Sequence, residues 1–176
     1  MSPILGIFAS QGRVTANSYE SIATVTLGSN SSSISFSSIP STFTHLQVRY
    51  NVTSTSATGD IGIYFNDDTT NIYSSHFLYG DGASTVAGGS ANRSLALAGI
   101  QGSSTSPAGG VLDVLDYKNT NKNKTLKVLV GADYNGSGFI FLESTAWYST
   151  AAINKITLYS GNNFTTNSKF ALYGIK

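Results

Sequence analysis

The sequence predicts an all-β protein, an antiparallel two-sheet sandwich of the jelly-roll type. Three observations predict it. Apolar and polar residues alternate with period two along much of the chain, as strands with one buried face require. No segment carries the i, i+3, i+4, i+7 apolar stripe of an amphipathic helix. Turn-forming Gly, Asn, Asp and Ser clusters separate the alternating runs.

Taken in order, residues 1–17 are expected to form an extended arm ahead of a single domain over residues 18–176. The arm carries Pro3, Ile4, Leu5, Ile7 and Phe8. It is too apolar for a solvated tail and too short for its own core, so it is expected to dock against something else. Side chains so buried contribute roughly 1.5–3 kcal/mol each. With no basic residues ahead of its short apolar stretch, it does not read as a signal peptide, and synthesis and use without export are expected.

Strands then follow from the alternation. Ala23, Val25 and Leu27 show it weakly; Ile34 and Phe36, then Leu46, Val48, Tyr50 and Val52, show it clearly. Ile61, Ile63 and Phe65 repeat it. Residues 80–92 and 100–110 are expected to be long loops crossing between sheets, the first of them low in complexity and mobile. Residues 111–117 alternate less cleanly, with Asp113 and Asp116 on opposite parities. Leu126, Val128 and Val130 make the next strand, and Asn135-Gly136 is the best hairpin turn. Phe139-Ile140-Phe141-Leu142 is a continuous apolar run, expected as a central strand covered on both faces. Ile156 and Leu158, then Phe170 and Leu172, complete nine or ten strands, a pattern of sandwiches and barrels.

Composition narrows the function. Ser, Thr, Asn and Gly make up 78 of 176 residues, charged residues only 11%, and the formal net charge is +1. Ordinary chains carry about 25% charged residues, so hydroxyls and amides wet this surface. The balance argues against a nucleic-acid partner, which calls for clustered Lys and Arg. No apolar run is long enough for a membrane-spanning helix. With no cysteine, disulfides, thiolate metal sites and thiol catalysis are excluded.

The candidate chemical groups are few. His45 and His76 are the only histidines, and no G-x-S-x-G elbow accompanies them, so no catalytic triad is expected. Glu143 follows the apolar run; a carboxyl with its pKa raised by burial is one reading, but it is expected first as a solvent-facing carboxylate at a strand end, without a partner for glycoside hydrolysis. Asp133-Tyr134-Asn135-Gly136-Ser137-Gly138 mimics the opening of a calcium loop, but the twelfth position is Ser144, which cannot supply the closing carboxylate. Asn66-Asp67-Asp68 is a second oxygen cluster. Turns explain both the Asp67/Asp68 and Asp133 positions without a cation, and no metal or cofactor is expected. The lysines at positions 118, 122, 124 and 127 read as a polar hairpin tip that discourages edge pairing. Among the aromatic residues, Trp147 and Tyr148 are the candidates for stacking on a glycan.

Several stretches together carry a resemblance. They are Ser18-Tyr19-Glu20-Ser21-Ile22-Ala23-Thr24-Val25-Thr26, Ser33-Ile34-Ser35-Phe36-Ser37-Ser38-Ile39-Pro40, Thr42-Phe43-Thr44-His45-Leu46-Gln47-Val48-Arg49, Leu115-Asp116-Tyr117-Lys118-Asn119-Thr120-Asn121-Lys122 and the closing Phe170-Ala171-Leu172-Tyr173-Gly174-Ile175-Lys176. This series resembles a family of small virion structural proteins of tailed bacteriophages, and the opening Met1-Ser2-Pro3-Ile4-Leu5-Gly6 is similar to members of that group. The resemblance spans nearly the whole chain, and its motifs are structural. It implies a non-enzymatic jelly-roll subunit, made in the host cytoplasm and placed on the virion as a homotrimer. The partners implied are further copies of itself and the major capsid protein or another virion protein. A capsid decoration (cement) or head-fibre role is the first expectation, with residues 3–8 as docking arm. A tail-fibre or receptor-binding domain recognising host surface glycan through Trp147 and Tyr148 is the alternative.

Overall fold

The computed structural model describes residues 18–56 and 59–176. The arm residues Pro3, Ile4, Leu5, Ile7 and Phe8 therefore lie outside the described residues. The protein is all-β: the described residues form twelve antiparallel strands in two sheets. The strands are β1 (Tyr19–Thr26), β2 (Ser31–Phe36), β3 (His45–Val52), β4 (Asp60–Phe65), β5 (Tyr73–Gly80) and β6 (Thr85–Arg93). They continue as β7 (Ala96–Ile100), β8 (Ala108–Leu115), β9 (Lys124–Asp133), β10 (Gly138–Trp147), β11 (Ile156–Phe164) and β12 (Lys169–Ile175). The large sheet runs β1-β12-β3-β8-β9-β10-β5-β6 and the small one β2-β11-β4-β7. The chain crosses repeatedly between the sheets, giving a jelly-roll-like sandwich with layers of unequal width.

The alternation seen in the sequence is the cause of this layering. On β3, Leu46, Val48, Tyr50 and Val52 are buried, and they meet Ile61, Ile63 and Phe65 of β4 and Ile156, Leu158 and Phe164 of β11 in one continuous core. Tyr50 spans the gap between sheets and donates its hydroxyl to the Ala98 carbonyl at 2.8 Å. Its ring leaves no room for a side chain at position 110, where a Cβ would stand 2.1 Å from Tyr50 Cζ.

Two expectations about loops are corrected. Residues 80–92 are not a mobile loop: from Thr85 they form β6, paired with β5 from Gly80↔Thr85 to Tyr73↔Arg93. Its burial pattern is almost entirely exposed, because it is an edge strand of small residues with little to bury. Residues 100–110 shrink to a connection between β7 and β8. The hairpin turn at Asn135-Gly136 is present: φ is 59° and 105° at its central residues, as a type I′ turn requires, and the Tyr134 amide donates to the Ser137 carbonyl at 2.8 Å. Asn66 and Asp67 (φ 53° and 60°) make an analogous turn between β4 and β5.

The lysine-rich tip joins β8 to β9, as expected, but one of its lysines turns inward. Lys124 is fully buried. Its ammonium donates to the carbonyls of Asn119 at 2.6 Å, Lys122 at 3.0 Å and Thr150 at 3.1 Å, which occupies all three of its N–H donors. Desolvation, with the charge of Lys122 second, lowers its pKa.

Candidate interaction surface

β10 is central in the large sheet, yet among the described residues only one of its faces is covered. Phe141, Glu143, Thr145 and Trp147 point into the sandwich, while Ile140 and Leu142 point out and are 60% and 56% exposed. The expectation that residues 139–142 are buried on both faces is corrected here, because β7 of the small sheet packs against only the inner side.

Register then assembles a surface from distant residues. Leu142 lies opposite Leu129 on β9 and Leu78 on β5, and Leu129 lies opposite Val111 on β8. The result is one apolar row, Val111–Leu129–Leu142–Leu78, running across four strands on the outer face, with Ile140 beside it. All five side chains are exposed. The row ends at Arg49, the β3 partner of Val111. The Arg49 guanidinium lies over the rings of Tyr173 and Tyr19, at 5.0 and 5.4 Å from their centroids, a favourable cation–π geometry. Arg49 Nε also donates to Gln47 Oε1 at 2.6 Å, and Gln47 Nε2 to Asp113 Oδ1 at 2.7 Å. The next row along the strands is polar: Asp113, Lys127, Ser144 and His76 stand opposite one another in turn. Scattered apolar residues on a surface are ordinary, whereas a contiguous patch marks an interaction site.

The inward groups behave differently from the sequence reading. Glu143 is not solvent-facing. It is 3% exposed, lies between Phe77 and Val128 in the sheet, and its Oε2 has no hydrogen-bond partner among the described residues. Burial pushes its pKa up to about 7, opposed by a hydrogen bond from the Gly99 backbone. Trp147, a candidate glycan contact, is likewise buried at 1% exposure. Its ring packs against Phe65 and Tyr73, with centroids 5.4 and 6.3 Å away, and its Nε1 donates to Asp68 Oδ2 at 3.1 Å. That ring has no free face for a sugar. Tyr148 does project to solvent, 57% exposed, but without Trp147 beside it.

The oxygen clusters are engaged as turns. Asp68 accepts from the Thr70 hydroxyl and amide; these bonds, the hydroxyl first, hold its pKa down. Asp67 pairs with Lys155 at 2.8 Å. Asp133 accepts the Asn135 amide at 2.8 Å. Among the described residues no group of three His, Asp or Glu side chains gathers to hold a metal. His45 Nδ1 accepts the Asp116 amide at 3.0 Å, and His76 stands exposed on the outer polar row.

No protein-family model matches the chain, and no curated protein matches it in sequence. Among solved structures it is similar to the exo-inulinase of Aspergillus awamori, with TM-score 0.45 and 12% identity over 89% of this chain. The match spans 29% of the inulinase chain, under a third of its length.

Proposed function

We propose that the chain is a non-enzymatic structural subunit of a bacteriophage virion, a capsid decoration or head-fibre protein that binds the particle as an oligomer. The sequence resemblance suggests the particle. The observation that carries the reading is the bare apolar row Val111–Leu129–Leu142–Leu78 with Ile140 beside it. Such a face gains on the order of 1.5–3 kcal/mol for each aliphatic side chain it buries, and repetition over a symmetric lattice multiplies that gain as avidity. The row is the contact between copies of the chain, and residues 3–8 anchor the oligomer to the major capsid protein.

Charging the row tests this. The double variant Leu129→Lys, Leu142→Lys is expected to sediment as a monomer where the unaltered protein sediments as a trimer, with unchanged β-sheet circular dichroism. A monomeric unaltered protein at micromolar concentration would refute the oligomer contact, as would a variant that still assembles. Removing residues 1–12 is expected to abolish incorporation into particles while the sandwich still folds.

A further inference from the structure

The outer face of the small sheet carries a different kind of surface. Along β11, Leu158 and Ser160 point into the sandwich, so Tyr159 between them points away from it and is 40% exposed. Across the sheet Tyr159 stands opposite Gly62 of β4, and Gly62 opposite Leu97 of β7. With no side chain at Gly62, Leu95 leans over the bare backbone; a Cβ there would be 2.6 Å from Leu95 Cδ1. The outcome is an open depression of about 280 Å³. Tyr159, Leu95 and Leu97 give it apolar walls, and Asp60, Arg93 and Asn162 give it polar ones. We infer that this depression binds one or two rings of a neutral saccharide, with Tyr159 as stacking platform and Asp60 and Arg93 meeting the hydroxyls.

The chemistry favours that class of ligand. A pyranose has an apolar C–H face, which an exposed tyrosine ring covers, and a rim of hydroxyls that both donate and accept. A carboxylate accepts and a guanidinium donates. One acid and one base leave the depression without net formal charge, which suits a neutral ligand better than an anion. The Asp60 carboxylate makes no hydrogen bond or ion pair among the described residues, although Arg93 lines the same hollow. Its oxygens are therefore available, and desolvation raises its pKa, as expected for a carboxylate partly withdrawn from water. Gln101 is fully buried beside Gly59, its Nε2 donates to the Asn162 carbonyl at 2.8 Å, and its Oε1 has no partner among the described residues. Gly59 leaves that arrangement room, since a Cβ there would fall 2.7 Å from Asn162 Nδ2.

The site shares no residue with the apolar row, and only Arg93, at the end of β6, comes to it from the large sheet, so neither proposal depends on the other. The test is saturation-transfer NMR on the full chain with glucose, galactose, mannose and N-acetylglucosamine, each at millimolar concentration, and adenosine as a second stacking probe. Transfer to the ring protons of at least one sugar is expected. Tyr159→Ala is expected to weaken it by up to about tenfold, Asp60→Asn to weaken it, and Tyr159→Phe to retain it. A thermal melt checks that each variant is folded. Absence of transfer from all four sugars overturns the inference. So does equal transfer to folded Tyr159→Ala, or transfer from adenosine alone.

Discussion

Replacing Trp147 with alanine is expected to lower the unfolding free energy by about 3–5 kcal/mol, read from urea denaturation followed by circular dichroism. Trp147 is among the largest fully buried side chains. It closes β10 against Phe65 of β4 and Tyr73 of β5, so its removal opens a cavity that three elements must share. A second loss adds to the cavity. The indole N–H reaches Asp68 Oδ2, tying β10 to the turn that joins β4 to β5. Trp147→Phe separates the two effects: it keeps most of the ring and drops the hydrogen bond, with an expected cost of about 1.5–3 kcal/mol for a bond to a charged group. A cost below about 1 kcal/mol for Trp147→Ala would show that the site collapses freely and that the indole is no keystone.

Glu143→Gln is expected to stabilise the protein at pH 8 by up to about 3 kcal/mol while leaving it near the unaltered protein at pH 4. The sign follows from burial. In the folded chain the carboxyl titrates near 7, against an ordinary glutamate value of 4.5. Between those values the folded state holds a proton that the unfolded chain has released. Stability therefore falls as pH rises through that window and levels off above it. Glutamine has the same shape, retains an acceptor for the Gly99 amide and cannot ionise. Thermal melts of both proteins from pH 4 to 8 give the difference directly, since other groups titrate in both. Parallel curves across the window would refute the assignment of a desolvated carboxyl to position 143.

The same residues show what could be seen in the sequence. β3 was legible because Leu46, Val48, Tyr50 and Val52 alternate with polar neighbours against a single buried face. β6 was not, because Gly88, Gly89 and Ser90 bury nothing and so leave no periodic trace. β7 escaped for a related reason: its inward residues, Ala96 and Ala98, are small beside the bulky Tyr50 they accommodate. On β10 the parity of Phe141 already placed Glu143 and Trp147 on the inner face. Their chemical types pointed the other way, and packing overrode type. The apolar row was beyond the sequence because Val111, Leu129, Leu142 and Leu78 become neighbours only through register. The continuous run at 139–142 did report two apolar faces, and the second of them is the one that the proposed oligomer covers. Tyr159 carried no distinguishing mark among ten tyrosines; its hollow exists because Gly62 opposite has no side chain.

The inward lysine at the β8–β9 tip has a practical consequence. An amine held by three carbonyls has no lone pair to offer an acylating reagent, and no path by which the reagent could arrive. Lys124 should stay unlabelled while Lys118 and Lys122, both exposed, react within moments. Its slow acylation, followed by peptide mass spectrometry, then becomes a clock for how often this end of the sandwich breathes open.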